Sequence, residues 1–300
     1  MSDLQRRALT AIIFSSVVLG SLFSTEWSFY GLFFLVSMAC LWEYLNLVLD
    51  KNPYRKAFVL FLAIASWGAF WSIGSLYTGL GSWNLNRAIG WGFNAFWFYR
   101  FVIGFLAVSP FVLLVFELFT RTDKPFQNVG LSLLGIFYLV LPFIFAMPQL
   151  SSSRVYSFQG YGNYFTPNIV AGLLFLTWAN DSFAYLIGSR IGKRKLFERI
   201  SPKKTWEGTI GGGLACMLTS LGVHHYLGVL SLWDWLAVAL IVAIFGTIGD
   251  LVESMLKRSL GVKDSGHIMP GHGGFLDRFD AFIFAMPFVY LFLIFFHVSV

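Results

Sequence analysis

Charge and cysteine are what this 300-residue chain has least of. Only 12% of its residues are Asp, Glu, Lys or Arg, about half the share found in soluble globular chains. With 57% apolar residues beside them, a water-soluble fold is excluded. The two cysteines, Cys40 and Cys216, both lie inside apolar runs, which excludes a disulfide framework, a cysteine-based metal site and thiol redox chemistry. A Walker A loop and a Rossmann glycine fingerprint are also absent, so the common nucleotide folds do not apply. No internal repeat or long linker divides the chain, and it is read as a single membrane domain over residues 1–300.

What is present is a series of apolar runs. Nine reach spanning length, near residues 8–24, 28–49, 56–80, 101–120, 127–147, 168–190, 207–228, 232–256 and 279–298, against a need of about 20 residues per helix. The expectation is an all-α, polytopic integral membrane protein with about nine transmembrane helices. The aromatic stretch SWNLNRAIGWGFNAFWFYRF reads either as an interfacial helix or as part of another span. Two arginines precede the first run, but no A-x-A-like cleavage site follows, so that run is read as a retained helix.

The nine runs sort the cations. Eighteen of the 21 Lys and Arg residues fall on one side, and only Arg87, Arg100 and Arg154 on the other. That bias puts the N-terminus in the cytosol and the C-terminus outside. Arg6, Arg7, Lys51, Arg55 and Lys56 are read as topological anchors. Residues 1–167 carry generic spans, whereas 168–300 hold the unusual polar groups.

Asp181 lies nine residues inside the sixth run, or about 13 Å deep at 1.5 Å per residue. Ionisable groups at such depth cost several kcal/mol and usually line a polar path. Glu43 and Glu117 lie nearer their helix ends and are read as reaching the headgroup region. At the end of the eighth run Asp250, Glu253, Ser254 and Lys257 follow i, i+3, i+4, i+7 spacing and share one helical stripe. Asp277 and Asp280 share a face at the start of the ninth, with Arg278 between them. Ahead of that helix, Gly271, Gly273 and Gly274 flank His272 and would let backbone approach a phosphate at a helix N-terminus.

A basic segment, SRIGKRKLFERISPKKTWEG, joins the sixth and seventh runs. Ser201 reads as a helix N-cap with Pro202 at the first helical position, and Lys203 and Lys204 would favour a polyphosphate. Lys193 to Lys195 also suit anionic lipid headgroups. Acidic oxygens facing such cations suit Mg²⁺ rather than zinc, since His272 lacks the partners a zinc site needs.

Taken together, Ser254, Lys257-Arg258, Lys263-Asp264, Gly266, Pro270, His272-Gly273-Gly274, Asp277-Arg278 and Asp280 closely resemble the C-terminal signature of the phosphatidate cytidylyltransferase family. The resemblance extends upstream through NDSFAYLIGSRIGKRKL and SPKKTWEG and covers roughly residues 178–280. Met269 stands where the family carries Leu, Ile or Phe, a change that conserves volume.

The resemblance implies a Mg²⁺-dependent reaction of CTP with phosphatidic acid, giving CDP-diacylglycerol and pyrophosphate at the cytosolic face of the membrane, and the compact chain is read as belonging to a bacterial inner membrane. It implies metal roles for Asp250 and Asp277, with Ser254 and Asp280 as nearby ligands, and leaves room for a second metal ion. Lys203, Lys204, Lys257, Arg258, Lys263 and Arg278 become phosphate contacts, joined by His272, Gly273 and Gly274. Asp181 would orient a cation or the nucleotide. The expected partners are the two substrates and membrane lipids, with room for a homodimer and no role for nucleic acid. Two alternatives stay open: a CTP-dependent lipid kinase, which would need a base such as Asp181, and a transporter, although no corresponding halves are present.

Overall fold

The computed structural model describes residues 3–49, 52–77, 95–120, 122–146, 152–157, 160–165, 167–266, 268 and 273–296. Among these residues it contains helices α1 (Asp3–Ser24), α2 (Glu26–Val48), α3 (Pro53–Tyr77), α4 (Ala95–Thr120), α5 (Pro125–Phe145), α6 (Asn168–Ile191), α7 (Trp206–Leu227), α8 (Leu232–Ser259) and α9 (Leu276–Phe296). Two short hairpins interrupt them, β1 (Ser152–Ser157) with β2 (Gly160–Phe165) and β3 (Lys195–Phe197) with β4 (Ser201–Thr205). By length and composition, α2, α5, α6, α8 and α9 are apolar enough to cross a membrane. Most of the aromatic stretch between α3 and α4 lies outside the described residues.

Local chemistry sets the helix boundaries. The α1–α2 junction turns on Thr25 and Ser28, each accepting from the other's backbone N–H at 3.1 and 3.0 Å. Ser231 and Asp234 form a full capping box at the start of α8, which satisfies two otherwise orphaned donors. Within α5, a π-turn over Ile136–Val140 lies just ahead of Pro142, which has no N–H for the helix ladder. A second π-turn, Val242–Gly246, divides the apolar first half of α8 from its polar C-terminal half.

The sequence expectation of a helix beginning at Pro202 does not hold. Ser201–Thr205 is a strand paired antiparallel to Lys195–Phe197, with Lys195 opposite Thr205 and Phe197 opposite Ser201. The N-cap is Thr205, whose hydroxyl accepts from Gly208 N–H at 3.2 Å. Pro202 is tolerated because a two-stranded hairpin is all edge, where a missing N–H breaks no central ladder.

The chain divides into two compact units, residues 1–32 with 165–300, and residues 33–164. In the first, α6 and α7 meet through glycine. A β-carbon on Gly212 would come 2.6 Å from the carbonyl oxygen of Asn180, and one on Gly208 equally close to that of Ala184. Such backbone approach is the usual driving contact where lipid replaces water outside the bundle. Gly249 does the same for α8 and α9, since a β-carbon there would lie 2.7 Å from the carbonyl oxygen of Asp280. That contact seats Asp250 beside the start of α9.

In the second unit Tyr44 donates to the carbonyl of Leu131 at 3.1 Å. Arg55 is fully buried and pairs with Glu117, its Nη2 lying 2.9 Å from Oε2. Thr122 also donates to that carboxylate at 2.6 Å. Lys56, nearly buried, donates to Asn46 at 2.8 Å. Arg55 and Lys56 are therefore packed within the unit rather than being solvated anchors, and Glu117 does not reach out to headgroups. A buried arginine needs a carboxylate partner, and Glu117 is that partner.

Candidate active site

The polar residues of the first unit gather where the β3–β4 hairpin, the end of α8 and the start of α9 meet. The hairpin is tied down by Glu207 in the first turn of α7, whose carboxylate accepts from the N–H groups of Lys193 and Arg194 at 3.1 and 3.2 Å. Strand alternation then separates the two neighbouring lysines. Lys204 turns inward and its Nζ lies 2.5 Å from Asp250 Oδ2, while Lys203 is exposed.

On α8 the predicted stripe is formed. Ser254 donates to Asp250 Oδ1 at 3.3 Å, and Lys257 Nζ lies 2.5 Å from Glu253 Oε2. Lys257 also bridges to α9, 2.6 Å from Asp277 Oδ1. The second oxygen of Asp277 accepts from Ser265 N–H at 3.0 Å, Ser265 Oγ at 3.0 Å and Gly274 N–H at 2.8 Å. Asp277 thereby ties the loop after α8 to its own helix. Gly273 adopts φ 80°, and a β-carbon there would lie 2.4 Å from the same Asp277 oxygen. Only glycine fits that position without displacing the carboxylate.

Asp280, on the next turn of α9, is buried and interacts electrostatically with Asp250, Glu253 and Asp181. Asp181 in turn lies within electrostatic reach of Lys204 and Arg278. Asn180 donates weakly to Thr247 on α8, at 3.5 Å. Asp181, Lys204, Asp250, Ser254, Lys257, Gly273, Gly274, Asp277, Arg278 and Asp280 are thus brought into one neighbourhood. Lys263 is exposed, and so is Arg258, which donates to the carbonyl of Val262 at 3.1 Å. His272 lies outside the described residues.

A cavity of about 420 Å³ opens against this cluster, with Asp181, Asp277, Arg278 and Asp280 on its walls. Trp178 and Ser182 extend the α6 wall, and Thr10, Phe14 and Ser15 of α1 close the opposite side. Phe14 packs edge-on against Phe279 with ring centroids 5.8 Å apart, which fixes α1 to α9. Sequence reasoning did not find α1 or Ser265. The available signal was faint: two hydroxyls in the first apolar run, and one serine inside an already polar loop.

The donor set fits Mg²⁺ of the kind that arrives with its substrate. Among the described residues no three His, Cys, Asp or Glu side chains converge as a ready-made cage. Mg²⁺ commonly needs only one or two carboxylates, together with water and substrate phosphates. Acidic oxygens are available for it: Asp250 is half-buried and bonded through Lys204 and Ser254, and among the described residues Glu253 Oε1 is buried without a hydrogen-bond partner.

A helical membrane protein whose carboxylates are bridged by lysines around one cavity has the make-up of an enzyme for anionic, metal-bearing substrates. The chain belongs to the cytidylyltransferase family, which it matches over residues 5–296, and is accordingly a nucleotidyltransferase. It is 36% identical over 190 residues to a phosphatidate cytidylyltransferase of Staphylococcus aureus (strain COL), covering 63% of this chain and 68% of that protein. A phosphatidate cytidylyltransferase of Staphylococcus haemolyticus is 35% identical with the same coverage. One from Staphylococcus epidermidis is 35% identical over 192 residues, covering 64% of this chain and 68% of the relative.

Proposed function

We propose that the chain transfers the cytidylyl group of CTP to phosphatidic acid, releasing pyrophosphate and forming CDP-diacylglycerol. The observation that carries this reading is the pair of lysine bridges, Lys204 to Asp250 and Lys257 to Asp277, beside a cavity lined by acids. Each lysine can exchange its carboxylate for a substrate phosphate while the freed carboxylate takes up a cation.

The nucleophile is a phosphate oxygen of the lipid. With a second pKa near about 6 it is largely ionised at neutral pH, so no general base is required. That oxygen forms a bond to the α-phosphorus of CTP, the bond from this phosphorus to the bridging oxygen breaks, and the electron pair leaves with pyrophosphate. The protein's task is to align two mutually repelling polyanions and neutralise the charge that develops on the leaving group. Lys204, Lys257 and Arg278 supply fixed positive charge, with Lys203, Arg258 and Lys263 as outer attraction. Asp250 and Asp277 would hold Mg²⁺, with Ser254 and Asp280 adjoining and room for a second ion; when bound, it screens the phosphate charge. Of the two Asp277 oxygens, Oδ1 is the one that would be free to hold the ion once Lys257 turns to a phosphate, since Oδ2 holds the loop.

The cation asymmetry supports nine spans, a cytosolic N-terminus and a cytosolic active site in a bacterial inner membrane. Residues 168–300 are then the catalytic part of one membrane domain. The deciding experiment gives purified protein Mg²⁺, phosphatidic acid and CTP labelled at either the α- or the γ-phosphorus. Only the α-label should enter lipid. Entry from the γ position would establish a lipid kinase instead.

A further inference from the structure

The β3–β4 hairpin has two unlike sides. Inward, it carries Lys204 to Asp250. Outward, Lys193, Arg194, Lys195, Arg199 and Lys203 are exposed, against Glu198 as the exposed acid of the same segment. Phe197, beside the turn, and Trp206, next after β4, are exposed as well. A two-stranded hairpin is marginal on its own in water and needs a further layer against it. An uncovered phenylalanine between lysines and arginines describes what that layer is made of: apolar at ring depth, anionic where the cations end.

The hairpin is also held in place. Residues 192–205 join the end of α6 to the start of α7, and α6 is apolar enough to cross a membrane. At the base, Trp206 N–H donates to the Arg194 carbonyl at 2.9 Å, and Glu207 accepts from the N–H groups of Lys193 and Arg194. The turn is closed by Ile200 N–H on the Phe197 carbonyl at 3.3 Å. Fastened to both helix ends, the hairpin stays where the α6 span leaves the hydrocarbon, which is the headgroup layer.

We propose that the outer face of this hairpin docks on an anionic phospholipid leaflet, its cations on headgroup phosphates and the rings of Phe197 and Trp206 in the interface. Basic segments next to a span are drawn to anionic headgroups, and aromatic rings with a polar edge settle at that depth. The inference rests on the membrane placement of α6 and not on the reaction. Its consequence for the site is one of level: Lys204, on the same short strand, is held at the depth where a lipid phosphate lies.

The test uses the full-length protein in a cysteine-free background, with Pro202→Cys carrying an environment-sensitive fluorophore. It is placed in nanodiscs of phosphatidylcholine alone, or with phosphatidylglycerol or phosphatidic acid added. Either anionic lipid should shift the emission to shorter wavelength, and about 1 M salt, where the screening length is about 3 Å, should reverse the shift. Lys193→Gln, Lys195→Gln and Arg199→Gln together should abolish it. If that triple variant is not monodisperse, the salt reversal on the unsubstituted hairpin decides. Emission unmoved by phosphatidylglycerol would leave the cations to orientation during insertion or to an acidic protein, and overturns the docking. A shift with phosphatidic acid alone would make the face a substrate seat and overturns it too, as does a shift that survives both salt and the triple substitution.

Discussion

Lys204 Nζ and Asp250 Oδ2 lie 2.5 Å apart, joining a hairpin strand to the polar end of α8 across 46 positions of sequence. The pair is partly exposed, so its contribution to stability is small. Under the proposed reaction, the pair would place one phosphate-binding cation and one metal-binding carboxylate within reach of the same substrate.

Loss of that carboxylate should therefore be a loss of rate. Asp250→Asn keeps the size and removes the charge, and activity is expected to fall by about 100-fold or more, each 1.36 kcal/mol being tenfold. Lys204→Met should fall comparably. Lys203→Gln, on the outward face of β4, should stay within about threefold of wild type, since it touches no part of the site and adds only diffuse attraction. Initial rates on monodisperse protein check all three, and near-normal Asp250→Asn would remove it from the metal site.

Gly273 is expected to be intolerant of any side chain. Gly273→Ala puts a non-glycine residue at φ 80° and a β-carbon 2.4 Å from Asp277, at a cost of about 1–3 kcal/mol for the backbone alone. Both activity and thermal midpoint should drop. Full activity in this variant would mean that the loop can be rearranged without consequence for Asp277.

The buried Arg55–Glu117 pair should be structural. Glu117→Gln leaves the guanidinium buried with a neutral partner, and destabilisation of about 3–5 kcal/mol is expected, read as a lower thermal midpoint. The double variant Arg55→Met with Glu117→Leu should recover most of it, because an apolar pair of similar volume needs no compensating charge. A rate defect in the double variant at full stability would give the pair a part in function.

Topology is checked by thiol labelling in a cysteine-free background. Cysteines placed at Lys195 and Ser265 should resist an impermeant reagent in intact cells, whereas one at Gly160 should react. Labelling of either of the first two from outside would put the active site on the other face.

The legible part of the site was the part written in short spacings. Asp250, Ser254 and Lys257 lie within two helical turns, so a 3.6-residue period predicts their common face, and the structure forms the Ser254–Asp250 and Lys257–Glu253 contacts. Lys203 and Lys204 show where such reasoning stops. They are equivalent in composition, but pairing with β3 sends one inward and the other to solvent.

Hydropathy alone determined that this is a helical membrane protein, because each span's cost of insertion is a local sum over its own residues. The clustered acids and bases near the C-terminus marked the chemistry for the same reason, being too costly to keep in spans without use. Tertiary structure alone decided which distant groups meet. Arg55 finds Glu117 across 62 positions, Asp277 becomes the organiser of its loop through Ser265, and Thr10 of the first helix faces a cavity shared with residues of the last. Those meetings depend on which helix faces approach closely. Glycines such as Gly212 and Gly249 set that approach, and the pattern of any one segment does not record what lies on its other side.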